Sequence, residues 1–469
     1  MIKVFLLIYF NIVLSSTVFV PDDYDSIQDA INNSTQNDTI YIYPGIYYEN
    51  VIVDNKSLFI SSISGADSAI LDGGLSSPVL IYNNVQNEAS ILSGFTIKNG
   101  IGENINGSSF GGGILSKNSI LILDNLIITN NSAFAGGGIC YFSENPTNNT
   151  PLIKNSIIRN NYASEGGGIF SVNHILEIEN TIIKENGMDL YGSGGGIQLL
   201  LGELNLENVT IKNNETKFGG GIYISNSTAN LNNVNITGNY SDSKGGGIWV
   251  GGETNLSVYK TIISNNLSIG FGGGMFVSNS NINIINSNII HNLVDPNIFG
   301  AGIYMDGGDA TVENSIIYFN RVQGSNESSY NLGAYSGDLL YEFNITYSNI
   351  ETDNFMILNN TGNISADPLF TENIENPYYL QNQSPCIDAG NPINYDLDGT
   401  IIDIGAIYYN QSAIGDINFD GQINIQDVVI LINAILYGYE NINLYLLDIN
   451  QDDSINVQDI IILVNYILN

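Results

Sequence analysis

Apolar residues come along the chain in short alternating bursts. In one stretch Ile222-Tyr223-Ile224 is followed by Asn230-Leu231-Asn232 and then by Val234-Asn235-Ile236. Alternation with period two over three to five residues predicts strands, because a helix that short would bury nothing useful. None of these stretches contains a ten-residue segment with apolar spacing of three and four, which disfavours βαβ units and horseshoe repeats. A triple glycine opens each stretch, starting at Gly111, Gly136, Gly166, Gly194, Gly219, Gly245 and Gly272, and Gly300-Ala301-Gly302 closes the series. Starts about 25–30 residues apart mark a stacked repeat. Three strands per coil, wound with one hand, give a parallel β-helix whose coils hydrogen-bond at about 4.8 Å.

Two columns of asparagine recur in the same register. One runs Asn125, Asn155, Asn180, Asn208, Asn233, Lys260, Asn286, Asn314, and the other Asn131, Asn161, Asn186, Asn214, Asn239, Asn266, Asn292, Asn320. The fixed offset between them holds the distance between two corners while the loops vary. Asparagine tolerates left-handed backbone, and its amide can bond the coils above and below. These columns are expected to be structural ladders. The triple glycines are expected at corners that need positive φ or close approach of coils. A phosphate loop would need Lys-Ser/Thr before a helix, and none follows.

Gly-Gly-Gly-Ile together with Ile128-Thr129-Asn130-Asn131 or Ile317-Tyr318-Phe319-Asn320 resembles the repeats of polymorphic outer-membrane proteins and other bacterial surface β-helices. The resemblance covers about residues 90–320 and implies a right-handed, pectin-lyase-like parallel β-helix. It carries little about activity, since that company includes lyases, hydrolases, esterases and adhesins. Asp38 to Asn50 resembles the opening of many such helices, and Gly45-x-Tyr47-x-Glu49 also looks like the first motif of pectin methylesterases. The esterase's other motifs have no counterpart, so the segment reads as a first coil. Before it, Ile27, Ala30 and Ile31 lie on an amphipathic turn or helix that would close the open end.

Residues 1–16 read as a secretion signal, with Lys3, an apolar run from Val4 to Leu14, then Ser15-Ser16, too short to anchor in a bilayer. The net charge of −35 arises from 47 acidic and 12 basic side chains. Such a surface repels nucleic acid and anionic membranes and attracts cations. Two cysteines, Cys140 and Cys386, provide no disulfide framework and read as small buried residues.

Candidate chemistry in the coils is sparse. His174 and His291 are far apart, no His-Glu-x-x-His occurs, and neither Arg159 nor Arg321 sits in a lyase-like motif. Loops lengthen at 100–110, 187–193, 293–299 and 321–336, placing Glu103, Asp189, Tyr191 and Asp295 on one edge as either a working face or tolerated surface. The second residue after each triple glycine is Leu115, Cys140, Phe170, Gln198, Tyr223, Trp249, Phe276 and Tyr304. If its neighbour points inward it points outward. Phe170, Tyr223, Trp249, Phe276 and Tyr304 are therefore expected either to stack on sugar rings or to form a self-stacking ladder.

Residues 351–410 leave the repeat. Asp367-Pro-Leu-Phe370, the run Tyr379 to Gly390 and Asp403-Ile-Gly-Ala406 resemble the terminal segment of bacterial β-helix surface proteins, expected to seal the C-terminal end. Asp388, Asp396, Asp398 and Asp403 read as turn formers or as a cation site.

The sharpest motif is duplicated at 414–469. Asp416, Asn418, Asp420, Gln422, Asn424 and Asp427 fall at positions 1, 3, 5, 7, 9 and 12 of a calcium loop, with Gly421 at its sharp turn. Asp448, Asn450, Asp452, Ser454, Asn456 and Asp459 repeat the set, each loop leading into an apolar helix. The first lacks an entering helix, so this is no ordinary EF-hand pair; it resembles a type I dockerin. The resemblance implies two bound Ca2+ ions and a cohesin-like partner. The family's recognition positions hold Ile425-Gln426 and Val457-Gln458 instead of the usual hydroxyl pair, and Asp453 replaces the second loop's glycine, which weakens that site.

The expected protein is mainly β: a signal peptide (1–16), a parallel β-helix (17–350), its C-terminal cap (351–410) and a small all-α calcium-binding dockerin-like domain (411–469). Its expected role is secreted or surface-attached glycan binding and display. A polysaccharide lyase or O-glycosyl hydrolase is the alternative.

Overall fold

The computed structural model describes residues 15–86, 88–143, 150–296, 298–324, 331–335, 342–351, 360–371, 377–411, 414–418, 422–438, 444–452 and 454–468, with the side chains of 188–190, 342, 444 and 445 left aside. Most of the signal expectation, together with Asp420, Gly421 and Asp453, lies outside them.

Three parallel walls of 13, 12 and 11 strands enclose the core. Stacking is in register. In the 11-stranded wall Ile114, Ile139, Ile169, Ile197, Ile222, Ile248, Met275 and Ile303 sit one above another, each wholly buried. Fully burying one such side chain contributes about 1.5–3 kcal/mol, and every coil repeats it.

Both asparagine columns carry rungs, but those of the first are exposed and partial, as at Asn208–Asn180 (3.3 Å) and Asn233–Asn208 (2.7 Å). Every residue of the first column, from Asn125 to Asn314 and including Lys260, has φ between 46° and 55°. The second column is the ladder: Asn186 donates Nδ2 to Asn214 Oδ1 (3.1 Å) and to the Ile158 carbonyl (2.9 Å), and the rungs from Asn131 to Asn320 repeat this. The residue before each rung forms a further left-handed corner, at Asn130, Asn160, Glu185, Asn213, Gly238, Asn265, His291 and Phe319. Both expected roles of the triple glycine occur. Gly219 has φ +64°, whereas a Cβ on Gly220 would lie 2.6 Å from the Gly246 carbonyl oxygen one coil away.

Helix α1 (Ile27–Asn33) closes the first coil with Ile27, Ala30 and Ile31. The Gly45-x-Tyr47-x-Glu49 motif serves this closure: Glu49 accepts from the α1 backbone N–H groups of Ile27 (3.1 Å) and Gln28 (3.0 Å), a carboxylate at the positive end of the helix.

Two expectations are corrected. The loops between the second asparagine column and the glycines are largely strands: Gly187–Ser193, Glu215–Phe218, Tyr240–Lys244, Leu267–Ser268, Leu293–Val294 and Arg321–Val322 stack as a six-stranded sheet, and Glu103–Ile105 pairs with Ser108–Phe110. Registry with the coils below supplies the hydrogen bonds their polar sequences could not promise. The expected end seal is confined to residues 361–366, where Ile364 bridges Asn349 of the last coil, and residues 377–409 run as a strap along the flank. Leu380, Cys386 and Ile404 pack on Ile290 and Ile316, the outward residues of the 12-stranded wall. Ala406 N–H donates to Asn288 Oδ1 (3.0 Å), and Asn391 Nδ2 to Glu313 Oε1 (2.7 Å). Both cysteines are free and buried.

Beyond the strap, α2 (Ile425–Tyr437), α3 (Leu444–Leu447) and α4 (Val457–Leu468) surround a separate small core of Ile417, Val428, Leu431, Ala434, Leu446, Leu447 and Leu463.

Candidate functional site

The duplicated loops are built alike. Asp427, wholly buried, accepts at Oδ1 from the backbone N–H groups of Ile417 (2.8 Å) and Asn418 (3.1 Å), and at Oδ2 from Asn424 (2.8 Å). Asp459 does the same with Ile449 (2.9 Å), Asn450 (3.3 Å) and Asn456 (2.8 Å). Each carboxylate at position 12 thus ties the start of its loop to the first turn of its helix, and Asn424 also caps α2. In the second loop Asp452 N–H donates to Asp448 Oδ1 (3.2 Å), and Ser454 N–H to Asp452 Oδ1 (2.9 Å), curling the chain around the side-chain oxygens. An all-oxygen set on so tight a loop, with its deepest carboxylate buried, suits a hard cation such as calcium.

Both helices turn the same apolar residues to solvent. Ile425, Val429 and Leu436 on α2 are 65%, 52% and 65% exposed; Val457, Ile461 and Leu468 on α4 are 59%, 55% and 77% exposed. The second triplet repeats the first at the spacing of the loops, so two equivalent stripes are presented. A domain this small keeps such a surface exposed when it has a partner to cover it.

On the coils, the expected solvent-facing aromatic strip is corrected. Phe276 and Tyr304 are 1% and 6% exposed, and Phe170 is buried with Leu115 and Cys140. Buried Gln198 separates Phe170 from the rest. Tyr223 stacks on Trp249 (4.1 Å between centroids, 2° between planes), and Phe276 on Tyr304 (5.6 Å, 7°), while Lys244 Nζ stands 4.3 Å from the Phe276 centroid and Phe271 lies against Tyr304. Rings that spend their faces on each other have none for a sugar. The ladder reading accounts for Phe276 and Tyr304, and only Tyr223 and Trp249 stay half-buried.

Sequence reasoning missed a shallow, open groove on the outer face of the 13-stranded wall. Thr228, Asn230, Asn255, Ser257, Asn281, Asn283, Asp309 and Thr311 line about 260 Å³ there. A second hollow of about 670 Å³ adjoins it along Asn173, Gly202, Asn226 and Glu253, sharing Thr228 and Asn255. The rungs are bonded sideways, Asn230 Nδ2 to Asn205 Oδ1 (2.8 Å) and Asn281 Nδ2 to Asn255 Oδ1 (3.2 Å). The polar positions of each alternating burst were its signal.

The two histidines and Arg321 are engaged in the fold. His174 is 1% exposed, its Nδ1 lies 2.8 Å from the Val172 carbonyl, and burial lowers its pKa. His291 stacks on Phe319 (4.9 Å), and burial, then Arg321, lowers its pKa. Arg321 holds Glu351 through two hydrogen bonds (2.5 and 2.7 Å). Of the long-loop residues, Glu103 pairs with Lys117 (2.8 Å), Tyr191 is exposed and Asp295 is half-buried. The side chain of Asp189 is outside the described residues.

The strap carboxylates act as turn formers. Asp403 accepts from the N–H groups of Asp388 and Tyr409, Asp396 from that of Asp403, and Asp398 from Thr400 and Gln411. Burial nevertheless pushes Asp403 up to about 7, and burial aided by the charges of Asp398 and Asp388 pushes Asp396 up to about 6. A carboxyl raised on folding stabilises the strap while protonated, and that contribution fades as pH rises through 6 to 7. Hydrogen exchange over residues 386–404 should therefore accelerate between pH 5 and pH 8 beyond its intrinsic pH dependence. Asp396→Asn, which retains an acceptor for the Asp403 N–H, should flatten that rise.

Fold and loops together define a mainly-β right-handed parallel β-helix carrying a calcium-type docking module. The comparisons agree. Residues 414–468 match the dockerin type I domain, and residues 196–361 match the right-handed beta helix region. Curated proteins return no match. Among solved structures, a pectate lyase is 13% identical, with 85% of this chain and 98% of that one covered at a TM-score of 0.41. A PL6-family alginate lyase is 14% identical, with 86% and 60% covered at 0.38. Dockerin type I domains bind calcium, and a dockerin implies a cohesin partner and a place outside the cell or on its surface. Among the described residues no helix is long and apolar enough to cross a membrane.

Proposed function

We propose that the protein is a secreted glycan-holding β-helix, attached to a cohesin-bearing partner or cell surface through its calcium-loaded dockerin. The groove on the 13-stranded wall carries the reading. It offers amide and hydroxyl groups once per coil, the pairing chemistry of a polyhydroxylated chain laid along the helix axis. Its acidic lining residues, Glu253 and Asp309, favour an uncharged glycan over an acidic one. Calcium would be held by Asp416, Asn418, Asp420, the Gln422 carbonyl, Asn424 and Asp427, and by Asp448, Asn450, Asp452, the Ser454 carbonyl, Asn456 and Asp459. The apolar stripes beginning at Ile425 and Val457 would meet the cohesin, a surface unlike the hydroxyl pair of cellulosomal dockerins.

Affinity electrophoresis in gels containing xylan or a mixed-linkage glucan tests the groove. The full-length protein is expected to be retarded, and Asn230→Ala/Asn255→Ala/Asn283→Ala to run free. Equal retardation of both would overturn the groove. Release of reducing ends or unsaturated products, abolished by replacing one carboxylate, would replace holding with catalysis by a lyase or glycosyl hydrolase.

A further inference from the structure

The 12-stranded wall carries a feature at odds with the rest of the surface. Along the last position of its strands the residues in register are Lys98, Thr129, Arg159, Lys184, Lys212 and Thr237. Four of the chain's 12 basic side chains therefore stand in one column of a protein whose net charge is −35. Neighbours in the column are one coil apart, about 4.8 Å, and the span from Lys98 to Lys212 is about 19 Å. Like charges stacked directly opposite each other destabilise a sheet, so three consecutive cations call for countercharge.

The protein supplies little of it. Lys98 has Asp72 at 3.4 Å and Lys184 has Glu185 at 3.3 Å. Neither Arg159 nor Lys212 has a carboxylate within 4.0 Å among the described residues, and Arg159 Nε is shielded from solvent without a hydrogen-bond partner there. Beside the cations, Ile127, Ile157 and Ile182 form a parallel apolar lane on the same outer face. Further along, the column turns to Thr237, Ser264, Ile290 and Tyr318, and there the strap covers the wall, with Tyr378 accepting from Asn265 (2.8 Å). The strap lies over the uncharged end of this face.

We infer that the open part of the 12-stranded wall binds a single chain of an acidic glycan. Its repeated carboxylates would lie along Arg159, Lys184 and Lys212, and the C–H faces of its rings on the isoleucine lane. The lane is about 10 Å wide, three residues of strand, which admits one slim extended chain. A nucleic acid duplex or a protein would also overlie the adjoining carboxylates of Glu179 and Glu207 on the next wall. The inference takes from the proposed function only that the occupant is a glycan. It adds a second wall with the opposite charge preference, so that the solenoid holds neutral and acidic polymers side by side.

The test is native electrophoresis of the full-length, calcium-loaded protein through gels containing polygalacturonate. Arg159→Gln/Lys184→Gln/Lys212→Gln is compared with Lys117→Gln/Lys217→Gln/Lys260→Gln, which removes the same charge elsewhere. The first variant is expected to lose about tenfold or more in affinity at low salt while still binding xylan, and the second to retain it. Wild-type retardation should fade as salt is raised. Equal loss in both variants, no loss in the first, or equal binding of duplex DNA overturns the inference and leaves the neutral groove standing. Failure of every glycan to bind overturns both. A matching far-UV spectrum and melting profile for the first variant ensures that lost binding is not lost fold.

Discussion

Chelating calcium is expected to melt residues 414–468 and leave the coils intact. The domain's core is small, centred on Leu431, Leu446, Leu447 and Leu463 between two helices and one short turn. A core of that size rarely supplies more than about 3–5 kcal/mol. An ion present at a thousandfold excess over its dissociation constant contributes about 4 kcal/mol per site, so emptying two sites outweighs the core. The coils are stabilised by an uninterrupted apolar stack and the asparagine ladder, neither of which involves metal. Hydrogen exchange in excess EDTA should show Ile425–Tyr437 and Val457–Leu468 exchanging freely while the strands from Ile114 to Val312 stay protected. Persistent protection of both helices without calcium would refute the dependence. Asp427→Ala should reproduce the effect with calcium present, because it removes a ligand and also strands the N–H groups of Ile417, Asn418 and Asn424, at about 1–3 kcal/mol for each one left buried. The loop with Gly421 should empty at lower free calcium than the loop with Asp453, where a side chain opposes the turn.

What the sequence revealed and what it hid follow from one property of a solenoid. Residues one coil apart become neighbours, so a need felt at one corner is written again in the next coil, which made the triple glycines and both asparagine columns visible. The calcium loops were visible for a different reason: their ligands lie within twelve residues, and local spacing fixes them. The strap was hidden because its contacts, such as Ala406 to Asn288, are distant and occur once. The six-stranded sheet was hidden because segments such as Ser241-Asp242 have no strand pattern and pair only after the coils align them. The aromatic row was located correctly, yet stacking and exposure predict the same sequence. Tyr223 and Trp249 stack at 4.1 Å yet stay half-buried, whereas Phe276 and Tyr304 are buried in the ladder. The basic column needed the register itself, since Arg159, Lys184 and Lys212 are scattered along the chain and adjacent only across coils.

Two substitutions a few residues apart should separate the asparagine columns by their effects on stability. Asn214 donates Nδ2 to Asn239 Oδ1 (3.0 Å) and to the Ile183 carbonyl (3.1 Å), and its Oδ1 accepts from Asn186 N–H (3.0 Å) and Asn186 Nδ2 (3.1 Å), all out of reach of water. Asn214→Ala strands the Asn186 N–H and takes the second donor from the Ile183 carbonyl, which keeps its strand bond. At about 1–3 kcal/mol for the stranded N–H, and more for the cavity, the loss exceeds that of the outer column. Asn208, six residues earlier, is exposed with φ 55°; its side chain donates to Asn180 Oδ1 (3.3 Å) and accepts from Asn233 Nδ2 (2.7 Å), bonds that water can replace. Asn208→Gly preserves the left-handed corner and should change stability by less than about 1 kcal/mol. Because coils interact with their neighbours first, the damage from Asn214→Ala should appear as faster exchange in the coils around residues 183–239 before the whole solenoid unfolds. Denaturant unfolding with exchange detection resolves the two cases. If both variants were equally stable, the inner column would be no more than a second set of turns, and the hydrogen bonds drawn between its amides would contribute nothing to holding the coils in register.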